Sequence, residues 1–170
     1  MPCFKRYIVF LFLIPVWAFA QDTVAVKRQA NRFAKASFNG DYKTVIDLTY
    51  PQLIAYSGGR DSLQKLMDER IAALKKQGVM TFSGSVGAPG PIIKAGTQLH
   101  CLVPETIVLQ LFNGHYLTST YLLALSDDKG KSWTFMDVGK MPAEVLQRLV
   151  PNYNADLRIP PAGKPLFFAD

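Results

Sequence analysis

The spacing of apolar residues changes half-way along the chain, from a helical period to alternation. In the first half, Val26, Ala30 and Phe33 recur at intervals of three and four residues, which is the spacing of one helix face. Asp22 stands where an N-cap is expected, and Asn39-Gly40 is typical of a helix end. The pattern therefore predicts a long first helix between these two positions.

Two shorter helical segments are predicted next, separated by a proline. Asp41 can cap a helix that carries Val45 and Ile46 on its inner side. Pro51 restricts Tyr50 to extended geometry, so the chain has to leave the helical conformation there before a further turn begins.

The last helix of the first half has signals at both ends. Asp61 and Gln64 have the spacing of a capping box, which predicts Asp61 as the N-cap. Lys75-Lys76 suits the negative end of the helix dipole, and Gly78 is a typical stop.

From residue 79 the apolar period is two, and β-branched and aromatic residues become frequent. Helices followed by a meander of strands predict an α+β fold, with N-terminal helices packed on a curved antiparallel β-sheet. A short helix over 142–149 and a proline-rich tail follow, and the apolar residues 166–168 are expected to dock on the body. The strands are predicted at 80–86, 97–112, 115–126 and 131–138.

Asn113-Gly114 predicts a tight hairpin between the two long strands. As a type I′ turn it would pair Phe112 with His115, and the same register would place His100 opposite Asp127. The two histidines would then lie roughly 40 Å apart along a strand. We therefore expect no shared metal site.

The next turn contains a recognisable pattern. Ser126, Asp128, Gly130 and Trp133 form S-x-D-x-G-x-x-W, known as an Asp-box. The aspartate can bond turn amides while the tryptophan packs beneath the hairpin. Because repeat folds need several copies and this chain has one, the pattern predicts a turn and implies no glycosidase.

Two carboxylates on the strands are candidates for proton transfer. Glu105 follows Pro104, which predicts a bulge or kink, and the expected register pairs Glu105 with Leu122. Asp137 lies near aromatic residues on the last strand. The sequence does not bring the two carboxylates together.

The N-terminus resembles an export signal. Lys5 and Arg6 precede an apolar run that ends in Ala18-Phe19-Ala20. Residues 1–20 are therefore predicted to be a cleavable signal peptide, which makes the protein periplasmic or secreted with no membrane span after cleavage. A retained anchor is the alternative, although the run is short for a spanning helix and contains Pro15.

Composition narrows the functional classes. The 19 Lys and Arg residues exceed the 13 Asp and Glu residues, but they are scattered, and a nucleic-acid partner is not expected. Cys101 would be the single cysteine after cleavage, and its apolar neighbours predict a buried strand position. No metal-ligand spacing is found, and no cofactor is predicted.

The order of these features resembles the NTF2-like (cystatin-like α+β) superfamily over roughly residues 24–149. The residues that carry the likeness are 38–42 (FNGDY), 45–51 (VIDLTYP) and Gly58-Gly59 before a long helix. The resemblance implies a single domain over 21–150, followed by the 151–170 tail. It also implies a cone of helices and curved sheet that encloses a pocket.

Members of that superfamily include isomerases, dehydratases and non-catalytic binders, and their enzymes use an Asp with a His or with tyrosines. No such pattern is matched here. We therefore expect an exported module that binds a small apolar or amphipathic ligand, with an isomerase or dehydratase as the alternative. The candidate pocket residues are Tyr50, Tyr56, His100, Gln110 and Tyr121.

One face of the predicted sheet is a candidate for the pocket wall, because it is apolar with a few polar groups. Two alternatives stay open for it: the side chains fill an ordinary core, or the sheet forms a homodimer interface. This face carries Thr106, Val108, Gln110, Phe112, Leu117, Ser119, Tyr121 and Leu123.

Overall fold

The computed structural model describes residues 18–170, with side chains from residue 23 onwards. Most of the predicted export signal, residues 1–17, lies outside the described residues. Helices are packed against a curled antiparallel sheet that forms a half-barrel, so the α+β prediction is confirmed. The elements are α1 (Ala18–Asn39), α2 (Tyr42–Leu48), α3 (Pro51–Tyr56), α4 (Arg60–Lys76), β1 (Thr81–Val86), β2 (Ile93–Ala95), β3 (Gln98–Leu111), β4 (Gly114–Ser126), β5 (Thr134–Asp137), α5 (Ala143–Leu149) and β6 (Leu166–Ala169).

Two predicted helix starts are wrong. Helix α1 is described from Ala18 onwards, so Asp22 lies inside the helix and is not its N-cap. Helix α4 begins at Arg60 with Gly59 as its N-cap and no side-chain cap. Gly59 has a φ of +99°, and this reversal directs the chain into the helix without a capping box.

The boundaries around Pro51 are confirmed. Asp41 caps α2, because its carboxylate accepts from the Thr44 N–H at 3.1 Å. Tyr50 is extended, and Pro51 is the first residue of α3. The Tyr50 N–H donates to Phe135 O at 3.0 Å, which ties the break between the two helices to β5.

The sheet has the strand order β1-β3-β4-β5, and two short strands extend it. β2 pairs with β3 beyond the end of β1, and β6 pairs with β4 beyond the end of β5. The sequence did not predict β2. The docking of residues 166–168 is confirmed, since they form β6.

The hairpin between β3 and β4 is present, but its predicted register is wrong. Leu111 pairs with Gly114, and the two-residue turn is Phe112-Asn113. Neither turn residue has a positive φ, so a type I′ turn is not formed. Glycine is required at position 114 for another reason, the close approach of β6. A Cβ there would lie 2.2 Å from the Phe168 carbonyl oxygen.

The predicted bulge at Pro104 is absent. Pro104 pairs with Tyr121 in an unbroken ladder between β3 and β4. The Pro104 carbonyl accepts from the Gly87 N–H at 2.7 Å, on the side of β3 that faces away from β4. In an antiparallel strand the N–H position of a residue points to the same side as its carbonyl, so the nitrogen of Pro104 also faces away from β4. β1 ends there, at Val86, and β2 has not yet begun. The ladder therefore loses no donor.

Side chains alternate between two cores, one on each face of the sheet. The face toward α1, here called the α1 face, includes Val86, Cys101, Val103, Leu122, Ala124 and Phe135, which pack with Val26, Ala30 and Phe33. The other, called the α5 face, includes Leu102, Leu123, Leu125, Met136 and Val138, which pack with Leu146, Leu149 and Leu157.

The Asp-box forms the turn that the sequence predicted. Asp128 accepts from the Ser132 N–H at 2.9 Å, and Ser126 Oγ accepts from the Gly130 N–H at 2.9 Å. Trp133, which is 1% exposed, donates from Nε1 to Gly130 O at 3.0 Å. These bonds hold the pKa of Asp128 at about 2, with Ser132 as the main cause.

Candidate functional site

The central feature of the α1 face is a buried carboxyl group. Glu105 lies on β3, on the same face as Val103, and is only 6% exposed. Among the side chains that the structure describes, from residue 23 onwards, Glu105 has no hydrogen-bond partner, yet Nδ1 of His100 is the one fully buried polar atom without a partner. The carboxyl oxygens of Glu105 therefore still reach solvent-accessible space.

A second carboxylate lies beside it. Thr120, opposite Glu105 in the β3–β4 ladder, donates from Oγ1 to Asp137 Oδ1 at 2.6 Å. The Gly139 N–H donates to the same oxygen at 2.9 Å. A Cβ at Gly139 would lie 2.1 Å from Thr120 Oγ1, so the close approach of this loop to the threonine requires glycine.

Burial makes Glu105 hard to ionise. Desolvation first, and the nearby Asp137 carboxylate second, raise the pKa of Glu105 to about 7. On the α1 side, the Lys27 ammonium donates to the carbonyls of Val86 and Gly87 at the adjoining strand end. Glu105 therefore exchanges a proton near neutral pH, so it both donates and accepts hydrogen bonds there.

The prediction that placed Glu105 at a bulge or kink, opposite Leu122, is wrong. In the observed register Leu122 instead pairs with Asp137, next to the Glu105–Thr120 pair. The predicted register was displaced by two positions, which keeps each side chain on its face but moves its neighbours.

Beyond Glu105 the α1 face is apolar and less completely covered. Ile107 and Leu109 follow on the same face of β3 and are partly buried. The ring of Phe38 packs where a Cβ of Gly84 would be, opposite Ile107. Helix α4 contributes Met67 to the core of this face but has no buried residue of its own. A carboxyl group thus lies at the border between a closed core and a looser apolar surface.

Two of the candidate residues meet in a different cluster, centred on Gln98. Its Nε2 donates to Asp127 Oδ1 at 2.8 Å and lies 3.5 Å from the Tyr50 hydroxyl. Its Oε1 lies 3.1 Å from His100 Nε2. Since the amide NH₂ is used by Asp127, its oxygen accepts from His100, which puts the imidazole proton on Nε2.

His100 is sealed from solvent. It is 0% exposed, and its ring stacks on Tyr153 with centroids 6.1 Å apart. Burial lowers its pKa, although the Asp127 carboxylate opposes this, so the imidazole is neutral. The lone pair on Nδ1 has no partner among the described residues. A ligand could reach this base only if Tyr153 moved.

The other three candidates do not join either cluster. Tyr56, at the end of α3, is 50% exposed. Gln110 donates to Asp170 Oδ2 at 2.8 Å and to Gly114 O at 3.2 Å, which anchors the end of β6. Tyr121 packs against the core of the α5 face. The sheet face that was considered for the pocket wall is thus the α5 face, turned away from α1.

Cys101 is a core residue, as its neighbours predicted. It is 0% exposed, and burial raises the pKa of its thiol to about 12. A thiol in that state is a poor nucleophile. Among the side chains described, those of residues 23–170, no group of three or more His, Cys, Asp or Glu is arranged to hold a metal ion.

A polar cleft of about 500 Å³ lies between α1 and α2. Arg28, Arg32 and Lys35 line it at helical spacing, and all three are exposed. Asp41 also lines the cleft, but its carboxylate is occupied by capping α2. Most of the residues that line it are polar or charged, unlike the apolar residues beside Glu105.

No family model, curated protein or solved structure matches this chain. In the part of the chain that the structure describes, no helix has both the length and the hydropathy needed to span a bilayer.

Proposed function

We propose that this chain is an exported, non-catalytic module that binds a small amphipathic ligand on the α1 face, with the ligand's polar group at Glu105. The observation that carries the proposal is the carboxyl group of Glu105, a residue that is only 6% exposed, whose oxygens still reach solvent-accessible space and bond to no described side chain. A polar group at the edge of an apolar surface is suited to orient a bound molecule.

The surroundings suit the rest of such a ligand. Ligand sites are mostly apolar with a few polar groups that orient the bound molecule. The partly buried Ile107 and Leu109 supply apolar surface next to Glu105. The sealed position of His100 argues against a role for that base in catalysis.

Membership of the NTF2-like superfamily and a periplasmic or secreted location are parts of the same proposal. The helices and curled sheet are compatible with a cone-like fold. The export signal rests on Lys5, Arg6 and the apolar run after them.

We further propose that the ligand's polar group is an amine. Glu105 and Asp137 are two acidic groups close enough for one to raise the pKa of the other. Lys27 is already bonded to backbone carbonyls. An ammonium group between the carboxylates would favour the ionised form of both, and its binding would release the proton from Glu105.

The test compares three probes of equal length: octylamine, 1-octanol and octanoate. At pH 8 we expect octylamine to raise the melting temperature more than 1-octanol does, and octanoate to have no effect. Glu105→Gln should weaken octylamine binding about tenfold or more, because it removes the charge. Glu144→Gln on α5, which is exposed, is the matched control and should bind like the parent protein.

Two results would overturn this assignment. If none of the probes binds, the α1 face is not a ligand site of this kind. If all three bind equally and Glu105→Gln changes nothing, the apolar surface binds without the carboxyl group.

The alternative function, an isomerase or dehydratase, is favoured by one observation. A carboxyl group with a pKa of about 7 is suited to move protons at neutral pH. Native mass spectrometry of the purified protein would separate the two ideas. A retained ligand of unchanged mass supports binding, whereas its conversion by the parent protein but not by Glu105→Gln supports catalysis.

A further inference from the structure

Exposed apolar residues are concentrated at one place, around β6 and the β3–β4 hairpin. Leu166, Phe167 and Phe168 are 56%, 44% and 46% exposed. Phe112 at the hairpin tip is 92% exposed, and Tyr116 on β4 is 38% exposed. A cluster of this kind on the surface of a soluble domain commonly marks an interaction site.

β6 is also an edge strand. It pairs with β4 on one side, from Leu117↔Leu166 to Gly114↔Ala169, and no described strand pairs with its other side. Its rings are held in place: Phe167 lies 5.1 Å from Tyr116 and Phe168 stacks on His115 at 5.3 Å, between centroids. The strand therefore presents free backbone groups and ordered apolar side chains together.

We propose that two copies of this chain pair through β6, antiparallel and edge to edge, which extends the two sheets into one. The two-fold axis passes beside Phe167, so that Phe167 meets its counterpart in the partner and Leu166 lies opposite Phe168 of the partner subunit. Edge strands are templates for this kind of addition, and a two-fold interface uses the same patch on both copies.

Charge complementarity selects a second copy as the occupant. In this register Lys164 lies opposite Asp170 of the partner subunit, and the pair occurs twice. Lys164 makes no ion pair with the side chains of residues 23–170. Asp170 accepts from Gln110 Nε2 at 2.8 Å through one oxygen, and its other oxygen lies 3.3 Å from His115 Nδ1, so its carboxylate is ordered at the end of the strand. Pro165 lies opposite Ala169 of the partner subunit and, lacking an N–H, offers only its carbonyl to the pairing.

Cross-linking tests the register. Phe167→Cys places two thiols on the axis, and oxidation should link the purified protein into a covalent dimer. Ala169→Cys is the matched control in the same strand, since its two copies would lie four residues apart, on the order of 13 Å, and should stay unlinked. Cys101, which is 0% exposed, is present in both variants and is not expected to react.

Sedimentation tests the charge pair without changing an aromatic residue. The parent protein should sediment as a dimer at micromolar concentration. Lys164→Glu should raise the dimer dissociation constant about tenfold or more, because two attractive pairs become repulsive. Lys140→Glu, an exposed lysine outside the strand, should leave it unchanged.

The proposal is overturned if the parent protein is still a monomer at about 100 µM, a concentration at which even weak interfaces form. It is also overturned if Ala169→Cys cross-links as readily as Phe167→Cys. If Phe167→Cys displaces β6 and fails to cross-link, the sedimentation of Lys164→Glu against Lys140→Glu decides the question.

Discussion

At the scale of single residues, two buried ionisable groups on opposite faces of the sheet have pKa values shifted from their ordinary ones. Burial and the Asp137 carboxylate raise the pKa of Glu105 to about 7, and burial lowers the pKa of His100. The two shifts affect stability in opposite directions. A carboxyl group with a raised pKa destabilises the fold as pH rises, whereas a histidine with a lowered pKa destabilises it as pH falls.

The first prediction concerns Glu105→Gln. The folded pKa of about 7 exceeds the ordinary value of 4.5, so the folded state binds more protons between these values. Stability should therefore fall as pH rises from about 4.5 to 7 and level off above, a loss of about 3 kcal/mol. Urea unfolding of Glu105→Gln should not show this loss. The free energy of unfolding of the variant should therefore rise relative to that of the parent protein as the pH rises.

Glu144→Gln serves again as the control and should follow the parent protein at every pH. His100 is unchanged in all three proteins, so its own contribution cancels in the differences. A Glu105→Gln curve parallel to that of the parent protein would mean that Glu105 titrates normally.

At the scale of elements, one side chain connects the first helix to the last hairpin. Gln29 on α1 accepts from the Trp133 N–H at 2.9 Å and donates to Lys131 O at 3.2 Å. Both partners belong to the segment that leaves the Asp-box turn. The helix therefore bonds to the backbone of a turn about 100 residues away, and this contact fixes where α1 crosses the sheet.

The second prediction is that Gln29→Ala destabilises the protein by about 1–2 kcal/mol, because the Trp133 N–H loses its acceptor in a partly buried position. Gln29→Glu is the informative comparison, since it keeps an acceptor for Trp133 and loses only the donor. Its loss should be smaller in the same urea titration. Equal losses for both variants would show that the bond to Lys131 is the more important one.

At the scale of the whole molecule, the sheet is covered on both faces by different parts of the chain. Helix α1 and Met67 of α4 cover one face, and α5 with the segment after it covers the other. Leu157 and Tyr153, which follow α5, join the second core. The proline-rich segment therefore contributes to packing and is more than an appendage.

The third prediction follows from Leu157, which is 4% exposed. Leu157→Ala should reduce the free energy of unfolding by about 2–4 kcal/mol, because it leaves a cavity in the core of the α5 face. Leu66→Ala, at a position that is 52% exposed, should stay within about 0.5 kcal/mol of the parent protein. Thermal denaturation of the two variants side by side checks this prediction. Equal melting temperatures would show that the 151–170 segment does not contribute to the core.

Features whose causes lie within a few residues could be predicted from the sequence. The Asp-box is the clearest example, because its donors and acceptors all lie between Ser126 and Trp133. The same holds for the Asp41 cap, for the extended Tyr50 before Pro51, and for the change of period at residue 79. Local hydrogen bonds and fixed backbone angles do not depend on the rest of the fold.

What the sequence did not determine depends on distant partners. In the observed hairpin Gly114 pairs with Leu111 and lies against β6, a strand that arrives more than 50 residues later. The observed register sets Glu105 opposite Thr120, whose hydroxyl bonds Asp137, and no local pattern indicates this arrangement. The pKa of Glu105 and the enclosure of His100 are products of burial and of charges from separate strands. Burial exists only once the chain has folded, so only the tertiary structure could decide them.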